Sequence, residues 1–315
     1  MARPKVAIIG AGQIGATLAQ RVLEKELADI VLTDVVEGMP QGKALDLMEA
    51  APLERHDAKI IGTNDYKDIA GSEIVVVTAG VARKPGMSRM DLLKINADII
   101  KGVSEEIKRY APNAILIMVT NPLDVMTALA FRVTQFPKSK VMGMAGVLDT
   151  ARLRYFIAER LGASVKEIEA MVLGGHGDDM VPLVNSAKVS GKPIDQLLPP
   201  KEVEALIQRT RQGGAEVVSL LKQGSAFYAP ASSVAQMIQA ILKDEKRILP
   251  ICAYLQGEYG LQDLFCGVPC RLGRGGILEV VEVSLTADEK KALQRSAESV
   301  RKGIEELQTL VPSLR

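Results

Sequence analysis

His176 is the residue of this chain whose neighbours in the sequence best suit acid–base chemistry. It lies within Gly174–Asp178, where three glycines flank one imidazole and leave room around it. An imidazole with a pKa near neutral can accept a proton from an alcohol and return it. A structural histidine in a glycine-rich turn is the alternative interpretation. The second histidine, His56, lies in the polar segment Glu54–Asp57, and we predict that its side chain is exposed to solvent.

Asp149 and Arg152 are candidates for the partners that such an imidazole would need. They are three residues apart at the start of a predicted helix, Asp149–Leu161, so their side chains can lie near one face. The carboxylate could hold the second ring nitrogen of the histidine, while the guanidinium could bind a substrate carboxylate through paired hydrogen bonds. Asp149 or Thr150 could instead simply cap that helix.

A glycine-rich turn near the N-terminus has the spacing G-x-G-x-x-G and separates a predicted strand, Val6–Ile9, from a helical pattern. In a dinucleotide site, the first glycine permits the tight turn, the second lets the backbone approach a pyrophosphate, and the third lets helix and strand pack closely. The N–H groups at the start of the helix then face the phosphates. The residues of this predicted phosphate site are Gly10, Ala11, Gly12, Gln13, Ile14 and Gly15.

Asp34 indicates which dinucleotide would bind. It ends the second predicted strand, 19 residues after the last glycine of the turn. A carboxylate there can accept hydrogen bonds from the ribose hydroxyls of NAD and would repel the additional phosphate of NADP, so we predict NAD as the cofactor. Two further segments, Thr78–Gly80 and Val119–Asn121, follow later strands at the edge where ligands bind. Thr78 and Thr120 could equally serve only to end those strands.

Short apolar runs alternate with helical patterns through the first half of the chain, which predicts a parallel sheet covered on both faces. The second half combines helices with runs typical of an antiparallel sheet. We therefore predict an α/β protein with an N-terminal Rossmann-type doubly wound parallel sheet in residues 1–146 and a C-terminal α+β substrate domain in residues 147–315. The predicted strands are Val6–Ile9, Ile30–Leu32, Ile74–Val77, Ile115–Val119, Ile168–Leu173, Arg247–Leu255 and Ile277–Val283, and the predicted later helices are Met90–Tyr110, Asp149–Leu161, Glu202–Leu221, Ser232–Leu242 and Ala287–Leu310.

The composition disfavours several classes of protein. The net charge of +1 gives no excess of basic residues for nucleic acid or for an anionic membrane. No apolar run approaches the length of a secretion signal or a membrane span, so we expect a cytoplasmic protein. The three cysteines, Cys252, Cys266 and Cys270, form a poor disulfide framework, and we predict buried apolar thiols and no metal site.

A basic segment follows the strand that ends at Val77. Residues 80–91 contain Arg83, Lys84 and Arg89 together with glycines and a proline that suit a loop. The simplest interpretation is a solvated basic turn. The alternative is a lid that closes over the cofactor, expels water and brings arginines to an anion.

Taken together, these segments resemble the malate dehydrogenases of the lactate dehydrogenase-like group, in the family's order and over essentially the whole chain. The matching segments are Gly10–Gly15, Asp34, Ala82–Arg89, Thr120–Asp124, Leu148–Arg152 and Gly174–Asp178. The resemblance implies reversible oxidation of (S)-malate to oxaloacetate by hydride transfer to NAD. It also implies a homo-oligomer, usually a tetramer and sometimes a dimer.

The resemblance further implies roles for individual residues. His176 would accept the proton, Asp149 would orient it, and Arg152 would bind the C1 carboxylate. Arg89 would polarise the C2 oxygen. Asn121 would contact the substrate and the nicotinamide, and its peptide bond to Pro122 would be cis. Asn96 would contact the cofactor.

Arg83 bears on the choice of substrate, because similar lactate dehydrogenases carry glutamine at this place. An arginine buried under a closed lid needs a counter-anion, which the second carboxylate of malate supplies and lactate does not. A lactate or branched 2-hydroxy acid dehydrogenase is the nearest alternative, and Arg83 argues against it. An NAD-dependent glycosidase would be expected to use a metal and a longer chain, and a non-enzymatic NAD sensor would not need His176, Asp149, Arg89 and Arg152 together.

Overall fold

The first half of the chain forms a parallel sheet with helices on both faces. The computed structural model describes residues 3–81 and 89–310, with the side chain of Arg89 outside the description. The parallel strands run in the order β3-β2-β1-β4-β5-β6, the arrangement of a dinucleotide-binding doubly wound sheet. The strands are β1 (Lys5–Ile9), β2 (Asp29–Thr33), β3 (Ile60–Thr63), β4 (Ile74–Val77), β5 (Ile115–Met118) and β6 (Val141–Gly143), and the helices are α1 (Gln13–Glu24), α2 (Met39–Glu54), α3 (Arg89–Tyr110) and α4 (Leu123–Thr134).

The alternation of side chains along β1 explains why its sequence is apolar at every position. Val6 and Ile8 pack into the core on one side of the sheet, while Ala7 and Ile9 pack into the core on the other side. All four are at most 1% exposed. A strand with both faces covered has no solvent side, so polar residues have no place along it.

The second half adds helices, two small sheets and a long antiparallel extension. Its helices are α5 (Gly146–Leu161), α6 (Pro200–Leu221), α7 (Tyr228–Leu242) and α8 (Ala287–Leu310), and its strands are β7 (Ile168–Glu169), β8 (Val172–Leu173), β9 (Val181–Pro182), β10 (Lys188–Val189), β11 (Lys192–Pro193), β12 (Arg247–Gln256), β13 (Gln262–Gly273) and β14 (Gly276–Val280). The predicted antiparallel strands are present, but they are not a separate sheet. Cys252 in β12 pairs with Gly143 in β6, which continues the main sheet to nine strands.

Three local predictions are wrong. The helix predicted to start at Asp149 begins at Gly146 with Ala145 as its N-cap, so Asp149 lies in the first turn and caps nothing. The single strand predicted over 168–173 is two short strands, and these pair in different sheets. His56, predicted to be exposed, is 8% exposed. The chain turns back at Arg55, which ends α2 with a left-handed φ of 59°, and this brings His56 against the helix.

Candidate active site

The glycine-rich turn joins β1 to α1 and leaves its backbone accessible. Gly10 has a φ of +106°, a conformation that favours glycine, and a Cβ at Gly15 would overlap the Gly10 carbonyl oxygen. A Cβ at Gly12 would instead meet nothing within 4 Å. Gly12 is the N-cap of α1, and no side chain among the described residues accepts a capping hydrogen bond from the N–H groups at this end of the helix. The free N–H groups there can bind a phosphate.

Asp34 lies one residue beyond β2 and directly beside this turn. Its Oδ2 accepts a hydrogen bond from the N–H of Ala11 at 2.7 Å, and its Oδ1 accepts one from the N–H of Val36 at 3.0 Å. From α2, Lys43 donates from Nζ to the carbonyl of Ala11 at 2.5 Å. Opposite charges therefore hold both backbone polar groups of Ala11. Reasoning from the sequence missed Lys43, because nothing in the local pattern around it points to a turn 32 residues away.

The two threonines at the strand ends bond to the backbone. Thr78 donates from Oγ1 to the carbonyl of Gly10 at 3.0 Å, which ties the end of β4 to the glycine-rich turn. Thr120 donates to the carbonyl of Ala79 at 2.6 Å, and the preceding Val119 is buried. These bonds hold the edge of the sheet where the strands end. The interpretation of both threonines as structural therefore has direct support.

Asn96 links the two loops at this edge. It is 1% exposed, and its Oδ1 accepts from the N–H of Val81 at 2.9 Å. Its Nδ2 donates to the carbonyls of Val81 at 3.2 Å and Asn121 at 2.7 Å. Asn121 itself is exposed, and its bond to Pro122 is cis, which confirms the expectation from the resemblance. The contacts implied for Asn96 and Asn121 with cofactor and substrate stay predictions.

The structure brings His176, Asp149 and Arg152 together. Asp149 is 1% exposed and bonds both partners, with Oδ2 at 2.8 Å from His176 Nδ1 and Oδ1 at 3.1 Å from Arg152 Nη1. The side chains of His176 and Arg152 are 14% and 16% exposed. Nδ1 of the imidazole faces the carboxylate, so Nε2 is the ring nitrogen left to exchange a proton with a ligand.

Opposing effects set the proton affinity of His176. Burial lowers its pKa, but the charge of Asp149 and the hydrogen bond to Asp149 raise it, and the charge of Asp124 raises it further. Arg152 acts in the opposite direction. The outcome is a pKa above the ordinary value for histidine. The imidazole is therefore suited both to take up a proton and to return it near neutral pH.

Three elements fix the backbone of the loop that carries His176. Gly174 and Gly267 of β13 exchange hydrogen bonds, from the Gly174 N–H at 2.8 Å and from the Gly267 N–H at 3.2 Å. The N–H of Gly175 donates to Oγ of Ser296 in α8 at 2.8 Å. The N–H of His176 itself donates to Oδ2 of Asp124 in α4 at 2.8 Å. Gly174 and Gly175 permit these close approaches, because a Cβ at Gly174 would lie 2.7 Å from Oγ of Ser296 and one at Gly175 would lie 2.9 Å from Cγ2 of Val300, whereas a Cβ at Gly177 would meet nothing within 4 Å.

Glycines in α6 make room for the Arg152 side chain. A Cβ at Gly213 would lie 3.0 Å from Cδ of Arg152, and one at Gly214 would lie 3.5 Å from Nη2. Two adjacent glycines inside a helix cost helix stability, so their presence indicates a close approach. That signal was available in the sequence and was overlooked. Ser296, by contrast, has no local signal.

Other predicted residues lie apart from this cluster or outside the description. Arg83 falls outside the described residues, and Arg89 begins α3 with its side chain undescribed. The three cysteines are free and buried, which confirms that prediction. Across residues 3–81 and 89–310, no group of three or more His, Cys, Asp or Glu side chains is arranged to hold a metal ion. Over the same residues, no helix is both long enough and apolar enough to span a membrane.

Comparison with known proteins agrees with this geometry. The NAD-binding domain of the lactate/malate dehydrogenase family matches residues 4–143, and the family's α/β C-terminal domain matches residues 146–311. The chain belongs to the lactate/malate dehydrogenase family. It is 55% identical over 308 residues to malate dehydrogenase of Pelodictyon phaeoclathratiforme, covering 98% of this chain and 99% of that protein.

Solved structures of both activities superpose closely. The apo malate dehydrogenase of Picrophilus torridus has a TM-score of 0.96 at 41% identity, with all of both chains covered. The lactate dehydrogenase of Cryptosporidium parvum, complexed with lactic acid and the dinucleotide, has a TM-score of 0.95 at 41% identity, covering 98% of this chain and 99% of that one. The fold therefore does not distinguish the two substrates.

The protein is an NAD-dependent dehydrogenase, and its own residues fit that cofactor. The open backbone at Gly12 and the uncapped start of α1 suit a pyrophosphate. The carboxylate of Asp34 lies beside that turn, where it can bond ribose hydroxyls and repel a ribose phosphate. The prediction of NAD is thus confirmed.

Proposed function

We propose that this chain catalyses the reversible oxidation of (S)-malate to oxaloacetate, with His176 as the proton acceptor. The buried ion-paired cluster of His176, Asp149 and Arg152 is the observation that carries the proposal. When bound, NAD would supply the hydride acceptor. The residues of the chain would bind the substrate, orient it and remove its hydroxyl proton.

Each member of the cluster has a separate task in this proposal. Asp149 holds Nδ1 of His176, so that Nε2 takes the hydroxyl proton in oxidation and returns it in reduction. Arg152 donates from Nη1 to Asp149, and the rest of its guanidinium binds the C1 carboxylate of the substrate. Asp149 therefore orients the base and the substrate anchor together.

The roles of the remaining residues are extensions of the same proposal. Arg89 would polarise the C2 oxygen, and Asn121 would contact the substrate and the nicotinamide side. Asn96 would contact the cofactor. The phosphate site would be Gly10–Gly15, supported by the uncapped end of α1.

The proposal that the substrate is malate rather than lactate rests on Arg83. A cation in a loop that closes over the substrate is stabilised by a second carboxylate and destabilised beside a methyl group. We expect the variant Arg83→Gln to shift the ratio of kcat/KM for oxaloacetate over pyruvate toward pyruvate. Arg83→Lys is the matched control that keeps the charge, and it should retain more of the preference for oxaloacetate.

The assay is the loss of NADH absorbance with oxaloacetate and, separately, with pyruvate. We expect turnover with oxaloacetate to be much faster than turnover with pyruvate. Absence of turnover with every 2-keto acid would disprove the enzymatic mechanism. An unchanged ratio in Arg83→Gln would disprove only the assignment of substrate choice to Arg83.

Domain limits, assembly and location complete the proposal. We infer an NAD-binding domain in residues 1–146 and a catalytic domain in residues 147–315, which is supported by family matches that meet between residues 143 and 146. We infer a cytoplasmic homo-oligomer, with a tetramer favoured over a dimer. Exposed apolar side chains near and on α2, including Val35 at 88% and Leu53 at 83%, support association. Light scattering on the purified protein tests the oligomeric state.

A further inference from the structure

Asp124 is a buried carboxylate next to the catalytic loop that the proposed reaction leaves without a task. It lies in the first turn of α4 and is 5% exposed. Its Oδ2 accepts the backbone N–H of His176 at 2.8 Å. Its Oδ1 is buried and has no hydrogen-bond partner by distance and angle among the described residues. A charge in such a position is costly and needs a reason to be there.

The surroundings of Asp124 come from three further elements. The thiol of Cys252 from β12 lies beside the carboxyl group, and the charge of Asp124 also acts on Cys266 from β13. Gly175 allows a close approach, since a Cβ there would lie 3.4 Å from Oδ2 of Asp124. The other charged groups that act on His176 are Asp149 and Arg152, both from α5. Asp124 is therefore a second carboxylate acting on one imidazole.

We propose that Asp124 is a positioning residue for His176, which holds the catalytic loop through the His176 backbone N–H and supplies a second negative charge near the imidazole. This inference rests on the proposed role of His176. The bond to the backbone sets where the loop lies, while Asp149 sets how the ring is turned. The neighbours of the carboxyl group, the His176 backbone N–H and the Cys252 thiol, are both uncharged, so they leave its negative charge to act on the ring.

The pKa values agree with this arrangement. The charge of Asp124 is one of the causes that raise the pKa of His176. Burial raises the pKa of Asp124 itself, while the His176 N–H, the Cys252 thiol and the charge of His176 oppose that effect. Each group thus favours the charged form of the other.

Two substitutions separate the hydrogen bond from the charge. Asp124→Asn keeps an oxygen that can accept the His176 N–H but removes the charge. Asp124→Ala removes both and leaves the N–H buried without a partner. Glu289→Gln is the matched control, because Glu289 is also a buried carboxylate at the start of a helix that accepts a backbone N–H, from Thr286 at 2.9 Å.

The direct readout is the imidazole titration by NMR, which is simple because the chain has two histidines. The variant His56→Gln assigns the signals. We expect Asp124→Asn to lower the pKa of His176 by roughly half a unit to one unit. Glu289→Gln should leave it unchanged. An unchanged pKa of His176 in Asp124→Asn would overturn the electrostatic part of the inference.

Kinetics supply the second readout. In Asp124→Asn, the acid limb of kcat/KM for malate oxidation should move to lower pH by the same amount, while Asp124→Ala should lose about ten- to a hundredfold in kcat/KM at every pH. The dissociation constant of NADH, measured by its fluorescence, should not change. A loss of melting temperature in Asp124→Ala without any loss of kcat/KM would show a purely structural residue and overturn the positioning role. If Asp124→Ala does not fold, Asp124→Asn still decides the electrostatic part, and if the wild type turns over no keto acid, the titration still does.

Discussion

Replacing Asp149 with asparagine tests the centre of the proposed mechanism. The substitution keeps the shape of the side chain and an oxygen for His176 Nδ1, but it removes the charge that Asp149 Oδ2 places 2.8 Å from that nitrogen. Asp149 is the first of the causes that raise the pKa of His176 against the opposing effect of burial. Its removal must therefore lower the pKa of His176.

The geometry sets the size of this change. Two unit charges whose centres are about 4 Å apart interact by about 4 kcal/mol at an effective dielectric constant of about 20. At about 1.4 kcal/mol per pKa unit, this gives an upper limit of roughly three units. The amide of asparagine still bonds the ring, and the charge of Asp124 remains, so we expect a fall of about one to two units.

The sign of the kinetic effect follows from the proton that each direction requires. Oxaloacetate reduction needs protonated His176, so a lower pKa moves the alkaline limb of kcat/KM to lower pH and reduces the rate above neutrality by about ten- to a hundredfold. Malate oxidation needs the neutral ring, so its acid limb also moves to lower pH. Both limbs should move in the same direction by similar amounts.

The assay is the pH dependence of kcat/KM in both directions, followed by NADH absorbance. Asp65→Asn is a suitable control, because Asp65 is an exposed carboxylate that caps a short helix away from this cluster. If the limbs of the kcat/KM profiles lie at the same pH in the wild type and in Asp149→Asn, the assignment of Asp149 as the electrostatic partner of His176 is refuted. Movement of the two limbs in opposite directions would refute the assignment of both limbs to one imidazole.

Two predictions concern the cofactor side of the site. Gly15→Ala places a Cβ against the carbonyl of Gly10, so it should destabilise the protein by about 1–3 kcal/mol and weaken NADH binding. Gly12→Ala places a Cβ in open space at a φ of −66°, so it should weaken NADH binding without changing the melting temperature. Equal thermal stability of the two variants would contradict the packing argument. Lys43→Met removes the ammonium bonded to the Ala11 carbonyl and should raise the dissociation constant of NADH about threefold to tenfold, while Lys43→Arg should raise it less. Fluorescence titration with NADH measures both constants. An unchanged dissociation constant in Lys43→Met would show that Lys43 does not contribute to cofactor binding.

Features that depend on a short stretch of chain could be predicted from the sequence. A glycine-rich turn between a strand and a helix, and a carboxylate at the end of the next strand, specify a dinucleotide site because the backbone and one side chain make it. The buried parallel strands were recognisable because both of their faces are covered. Helices such as α3 and α8 were located closely by their apolar periodicity.

Contacts between residues that are distant in the sequence could not be predicted, because they depend on how the whole chain folds. Asp149 contacts His176 across 27 positions, and Ser296 holds the Gly175 backbone across 121 positions. His56 is buried because the chain turns back at the end of α2, although its neighbours in the sequence are polar. The start of α5 at Gly146 was also hidden, because Asp149 in its first turn has the residue type of a cap but bonds His176 and Arg152 instead. Packing between segments, and not the order of residue types along any one of them, selects these contacts.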